Sequence, residues 1–258
     1  MNLHKCILTE NDCYKRQKYI TPKGIMLHST GANNPNLKRY VGPNDGLLGE
    51  NKNNNHWNRS GVGACVHAFI GKLADGSIAT YQTLPWNMRG WHCGDDANNT
   101  HISFEICEDN LTDENYFNLV YQEAVELTAY LCEMYNLDPL EDGVVICHSE
   151  GYRRGIASGH ADVEHWFPKF GKTMDDFRQD VKDEMELNID NLTDEQLVQL
   201  YSKMITALGK LDGSSYSKED RDWAVDNGYF QGDENGNLLW QVPLNREQFA
   251  VVERRIHG

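Results

Sequence analysis

The segment His101-Ile-Ser-Phe-Glu-Ile-Cys107 alternates apolar and polar side chains residue by residue, and this constrains the fold more than any other feature of the chain. Written as a strand, it puts Ile102, Phe104 and Ile106 on one face and Ser103, Glu105 and Cys107 on the other. A strand with one wholly apolar face needs a second layer to cover it. The next segment can supply that layer. From Asp113 to Tyr135, Phe117, Val120, Tyr121, Ala124, Leu127 and Leu131 recur at three- and four-residue spacing, which predicts a long helix with Thr112 as its N-cap.

Other segments carry strand patterns bounded by turn residues: Gly24 to His28, Ala64 to Ile70, and Ile78 to Gln82 after the turn at Ala74-Asp-Gly76. Gly143 to Cys147 is short and apolar, as suits a central strand. A further helix is expected from Met174 to Met185. The prediction is an α/β domain over residues 1–186, a mixed central β-sheet flanked by helices. Residues 187–258 follow as a small, mainly helical C-terminal module, joined through Leu187 to Asn191. Its expected helices run from Thr193 to Leu208, Ser217 to Asn227 and Asn245 to Ile256, the first opened by a Thr193/Gln196 capping box.

The 258 residues carry a formal charge of −15, which disfavours non-specific binding to nucleic acid or to anionic membranes. No apolar run approaches the roughly 20 residues that cross a bilayer. The N-terminal residues lack the apolar centre of a signal peptide, so synthesis as a soluble cytoplasmic protein is expected. The seven cysteines include no CxxC pair and predict reduced, buried thiols rather than a disulfide framework or a cysteine metal cage.

Chemistry concentrates in a few polar residues. His28 ends one predicted strand (IMLHST), His148 ends another (VVICHSE), and Asp162 lies in the polar loop GHADVEHWFP. Strand ends at one sheet edge can bring two imidazoles together, and a loop can add a carboxylate. Three such ligands leave a fourth position for water, the open arrangement of a catalytic zinc. The competing reading is two structural histidines, each satisfied by a hydrogen bond. His67 fits such a structural role, and His165, beside Trp166-Phe-Pro, fits packing. His92, in the Trp91-His-Cys-Gly segment, is a candidate contact to a peptide substrate. Asp233 to Asn237 has some features of a calcium loop, but its glycine comes too early and no glutamate follows at the required spacing.

In order, GIMLHST, HISFEIC, ICHSEGY and GHADVEHWFPKFG resemble the zinc-dependent N-acetylmuramoyl-L-alanine amidases, the family of type 2 amidases and peptidoglycan recognition proteins, in its phage or prophage endolysin branch. The resemblance covers about residues 15–185. It implies a Zn2+ cofactor held by His28, His148 and Asp162, with His160 the competitor for third ligand. Val163 stands where the family commonly has proline. It further implies Glu105 as the general base and His160 as a donor to the developing oxyanion. The substrate is then peptidoglycan, cut at the amide between N-acetylmuramic acid and L-alanine, with action on the bacterial cell wall after release. Two alternatives stay open: a peptidoglycan-recognition protein without catalysis, and a zinc peptidase cutting within the stem peptide.

Trp223 to Gly232 and Trp240 to Gln248 resemble one incomplete copy of the S-layer-homology type of wall-attachment motif, which implies a cell-wall polymer as partner of the C-terminal module. Trp223, Tyr229, Phe230 and Trp240 can either stack on carbohydrate or form the module's own core. Oligomeric state is open.

Overall fold

A computed structural model of the chain describes residues 1–186, 192–232, 238–243 and 246–257. The chain divides into two compact units, Met1–Leu187 and Asn188–Gly258. The predicted junction from Leu187 to Asn191 and the Asp233–Asn237 segment lie outside the described residues, as does the first residue of the helix expected from Asn245.

Unit 1 is built on a six-stranded sheet: β1 (Leu3–Lys5), β2 (Gly24–Ser29), β3 (Ala68–Lys72), β4 (Ile78–Gln82), β5 (His101–Ile106) and β6 (Val145–Cys147). Their order across the sheet is β1-β4-β3-β5-β2-β6. The β3–β4 hairpin is antiparallel and every other pairing is parallel, so the sheet is mixed as expected. Its helices are α1 (Asp12–Lys15), α2 (Glu114–Tyr135), α3 (His148–Arg153) and α4 (Met174–Glu186).

The alternation along β5 does what its period requires. Ile102, Phe104 and Ile106 join Ile25 and Leu27 of β2 under α2, whose Phe117, Val120, Ala124, Leu127 and Leu131 complete the main core. Each of these side chains larger than alanine contributes about 1.5–3 kcal/mol when fully buried. The buried Glu123 of α2 has its partners supplied: it accepts from Thr80 Oγ1 and Asn2 N, both at 2.8 Å, tying the helix to the β1–β4 edge.

Local chemistry adjusts the predicted boundaries. The N-cap of α2 is Asp113, not Thr112: Asp113 Oδ1 accepts the Tyr116 N–H at 3.0 Å, while Thr112 Oγ1 donates to Asn110 Oδ1 at 2.8 Å. The strand expected from Ala64 begins only at Ala68, because Cys65 pairs as an isolated bridge with Trp91 instead of joining the ladder. The short β1 and α1 carry no pattern long enough to predict.

In unit 2 the helices are α5 (Asp194–Leu208), α6 (Lys218–Asp226) and α7 (Arg246–His257). The side chain of Gln196, half of the expected capping box, is outside the described residues. The four aromatics pair two by two, Trp223 with Tyr229 at 5.2 Å and Phe230 with Trp240 at 5.5 Å between ring centroids. None of them is fully buried, and Trp223 stays 59% exposed.

Candidate metal centre

β2 lies between β5 and β6 and is parallel to both, so their carboxyl ends meet at one end of the sheet, where ligands characteristically bind in open α/β sheets. His28 is the penultimate residue of β2 and its register partner is Glu105 of β5. Both project from the face opposite α2, on the polar side of the β5 alternation. His148 follows β6 directly as the first residue of α3, where the Glu150 carboxylate accepts the Cys147 N–H at 3.1 Å and fixes the strand-to-helix turn. Arg178 of α4 locks that turn, its guanidinium bridging Glu150 and the Val145 carbonyl. Asp162 arrives on the loop after α3, its carbonyl accepting the Ser149 N–H at 3.2 Å. Val163, in place of the expected proline, is fully buried in the main core and anchors that loop.

Three ligand atoms converge. His28 Nδ1 lies 2.9 Å from His148 Nδ1 and 3.2 Å from Asp162 Oδ2, and His148 Nδ1 lies 3.5 Å from the same oxygen. Ligand atoms about 2.1 Å from a tetrahedral zinc stand about 3.4 Å apart, so the triangle has the right size for that ion. The donor set fits as well. Two imidazole nitrogens this close cannot both carry protons, and a cation between them satisfies both lone pairs and the carboxylate at once. Among the described residues these three form the group able to hold a metal ion. His160 is not in it: its ring lies beside that of His148, centroids 4.6 Å apart, exposed at the rim.

The electrostatics suit a cation too. Burial holds His28 and His92 below the usual histidine range, which favours the neutral form that ligation requires of His28. For Asp162 burial opposes ionisation, but the imidazoles of His148 and His28 against its Oδ2 outweigh it and hold the carboxyl well below its usual range. Glu105 goes the other way. Burial, then the negative charges of Asp162 and Glu108, push it well above the carboxylate range, and its Oε2 is enclosed without a hydrogen-bond partner. His28, His92, Glu105, His148 and Asp162 line a cleft of about 750 Å³ together with Gly63, Ala64 and Trp91.

Three of the remaining histidines have defined places. His67 is structural: its Nδ1 accepts the Ser103 N–H at 3.0 Å and its Nε2–H donates to the Met88 carbonyl at 2.7 Å. His165 is not simple packing, since it lines the cleft and pairs through Nε2 with buried Glu108 at 2.9 Å. His92 sits against His28, with its Nδ1 3.0 Å from His28 Nε2. The sequence also gave no hint of Ser158, whose hydroxyl stands 3.3 Å from His148 Nε2. Neither Glu108 nor Ser158 belongs to a periodic or spaced motif that could have revealed it.

Two histidines and an aspartate able to hold a metal ion, with a buried carboxylate lining the same open cleft, make this an α/β protein with a candidate metal centre. The chain belongs to the N-acetylmuramoyl-L-alanine amidase family, whose model matches residues 18–168. It is a peptidoglycan hydrolase of the amidase type. Among solved structures, the Staphylococcus aureus hydrolase AmiA, in complex with its ligand, shares 18% identity over 75% of this chain and 87% of its own, with a TM-score of 0.55, a likeness of fold. The PlyG catalytic domain is 21% identical over 75% of this chain and 100% of its own, with a TM-score of 0.49. PlyL is 21% identical over 70% of this chain and 96% of its own, with a TM-score of 0.48. No curated protein matches the chain. Among the described residues no helix is long and apolar enough to cross a membrane.

Proposed function

We propose that this amidase cleaves the bond between N-acetylmuramic acid and L-alanine with Zn2+ held by His28, His148 and Asp162. The observation that carries the reading is the convergence of those three ligand atoms beside the partnerless carboxylate of Glu105. When bound, zinc supplies a lowered water pKa and Lewis acidity toward the scissile carbonyl. Glu105 takes the proton of the attacking water and delivers it to the departing L-alanine nitrogen, a transfer typically worth 10²–10⁴-fold in rate, as an order of magnitude. His160, at the rim beside His148, donates a hydrogen bond to the oxygen on which negative charge develops. Asp162 holds both histidines in place and offsets the ion's charge.

The endolysin role, breaking a host wall at the end of a phage cycle, is supported by the order and wording of the four motifs. In this reading residues 1–186 are the catalytic domain and residues 187–258 a wall-binding module, which the exposed Trp223 and Tyr216 favour.

The test is digestion of purified Gram-positive walls by zinc-loaded protein, with fragment ends read by mass spectrometry beside a Glu105→Ala variant. Intact stem peptides beginning with L-alanine, lost in the variant, are expected. Cuts inside the stem would make the protein a peptidase, and binding without cleavage would make it a recognition protein.

A further inference from the structure

We infer that His92 is a positioning residue for the metal centre, accepting the Nε2–H of His28 and so fixing the ring and tautomer that His28 presents to the ion. The inference rests on the zinc reading above. Both nitrogens of His28 are committed. Nδ1 faces His148 and Asp162, and Nε2 lies 3.0 Å from His92 Nδ1. The two rings meet edge-on, with centroids 5.1 Å apart and planes at 71°.

A neutral imidazole carries one proton. For Nδ1 of His28 to offer its lone pair to a metal, the proton must sit on Nε2, and there it meets His92 Nδ1 as acceptor. His92 must then carry its own proton on Nε2. That atom is enclosed and has no hydrogen-bond partner in the protein. Leaving a buried donor bare costs roughly 1–3 kcal/mol, so the ring is badly placed as a purely structural element. The same ring is well placed as an orienter, because the outer hydrogen bond of a metal-bound histidine sets its tautomer and direction.

The fold holds His92 there by its backbone and by space. Its N–H donates to Asn98 Oδ1 at 2.8 Å, and Asn98 is itself buried. A Cβ on Gly90 would stand 3.1 Å from His92 Cδ2 and 3.2 Å from both the Cys65 carbonyl and His67 Cε1. The missing side chain at position 90 is what admits the ring. An imidazole acceptor orients His28 without adding negative charge, and Asp162 remains the one anion among the three ligands. For His148 the corresponding partner is the Ser158 hydroxyl, longer at 3.3 Å and on an exposed residue.

The experiment measures zinc affinity by chelator competition for the wild type, His92→Phe and His92→Asn, with the melting temperature of each apoprotein. Phenylalanine keeps a ring but no acceptor, whereas the Asn Oδ1 stands close to where Nδ1 was. The expected result is zinc binding weakened about 10–100-fold in His92→Phe and largely retained in His92→Asn. Wild-type affinity in His92→Phe would overturn the inference, as would equal weakening in both variants. A variant-free measurement stands beside these: ring ¹⁵N shifts of the zinc-loaded wild type should show His92 protonated on Nε2 and bare on Nδ1. Protonation on Nδ1 would overturn the inference while leaving the metal centre intact. A wild type that takes up no zinc would overturn both.

Discussion

Glu105 and His28 are register partners on adjacent parallel strands, so the proposed base and a proposed zinc ligand are held by the same ladder of backbone hydrogen bonds. Neither depends on a loop for its position. That rigidity suits a site whose base must stay within hydrogen-bond reach of a water it does not itself bind.

Replacing this carboxylate separates activity from stability. Glu105 is enclosed, lacks a partner on Oε2 and faces the charges of Asp162 and Glu108. Glu105→Gln should cut wall turnover by at least about 100-fold. The apoprotein should melt a few degrees higher, since about 1 kcal/mol corresponds to roughly 2–4 °C in a domain of this size. Calorimetry beside a turnover assay checks both.

Asp162 and His160 should differ in kind. Asp162→Ala should lose both zinc and activity. His160→Ala should keep stoichiometric zinc by metal analysis while its turnover drops by about 10²–10³-fold. Loss of zinc in the His160 variant would reverse the ligand assignment. Chelation of the wild type should abolish turnover, and zinc in large excess over its dissociation constant should raise the melting temperature by mass action.

His67 makes the fold sensitive to acid. Burial lowers its pKa to about 4, against about 6.5 in an unfolded chain. The native state stays neutral while the unfolded state gains a proton below pH ~6.5. Stability from this group is therefore complete above that pH and falls as pH drops toward 4, by up to about 3 kcal/mol. Denaturant titrations from pH 7 to 4 should show a shallower decline in His67→Gln than in the wild type. An unchanged slope would remove His67 from the account.

Arg178 ties α4 to the turn that carries His148, with both Arg178 and Glu150 largely buried. Arg178→Met should destabilise the protein by roughly 2–3 kcal/mol, because the Glu150 charge is left unpaired. Urea denaturation measures this directly.

The C-terminal module should act on walls and not on small substrates. Trp223→Ala with Trp240→Ala in the full chain should reduce sedimentation with purified walls and leave turnover of soluble muropeptides unchanged. Unaltered sedimentation would reassign those rings to packing.

Much of the candidate site is legible in the sequence because its residues end or interrupt regular patterns. His28 and His148 close apolar runs, and Glu105 sits on the polar face of an alternating strand. The helix cap was misplaced by one residue because Thr112 and Asp113 are both competent caps, and a side-chain bond to Asn110 decides between them. The early start expected for the strand at Ala64 fails because Cys65 finds Trp91, a partner far along the chain. The His165–Glu108 pair and the contact of His92 with His28 lie outside any local pattern.

The sequence by itself determined which faces are buried, where strands and helices run, and which residue types were at hand for chemistry, because periodicity is a local property that short-range burial reads directly. Only the tertiary structure decided that β2, β5 and β6 lie side by side and parallel, bringing residues 28, 105, 148 and 162 to one end of the sheet. It also decided that His92 turns toward His28 through the space at Gly90. Those outcomes depend on strand pairing and loop closure between distant segments, and their energy lies in contacts that no local window contains.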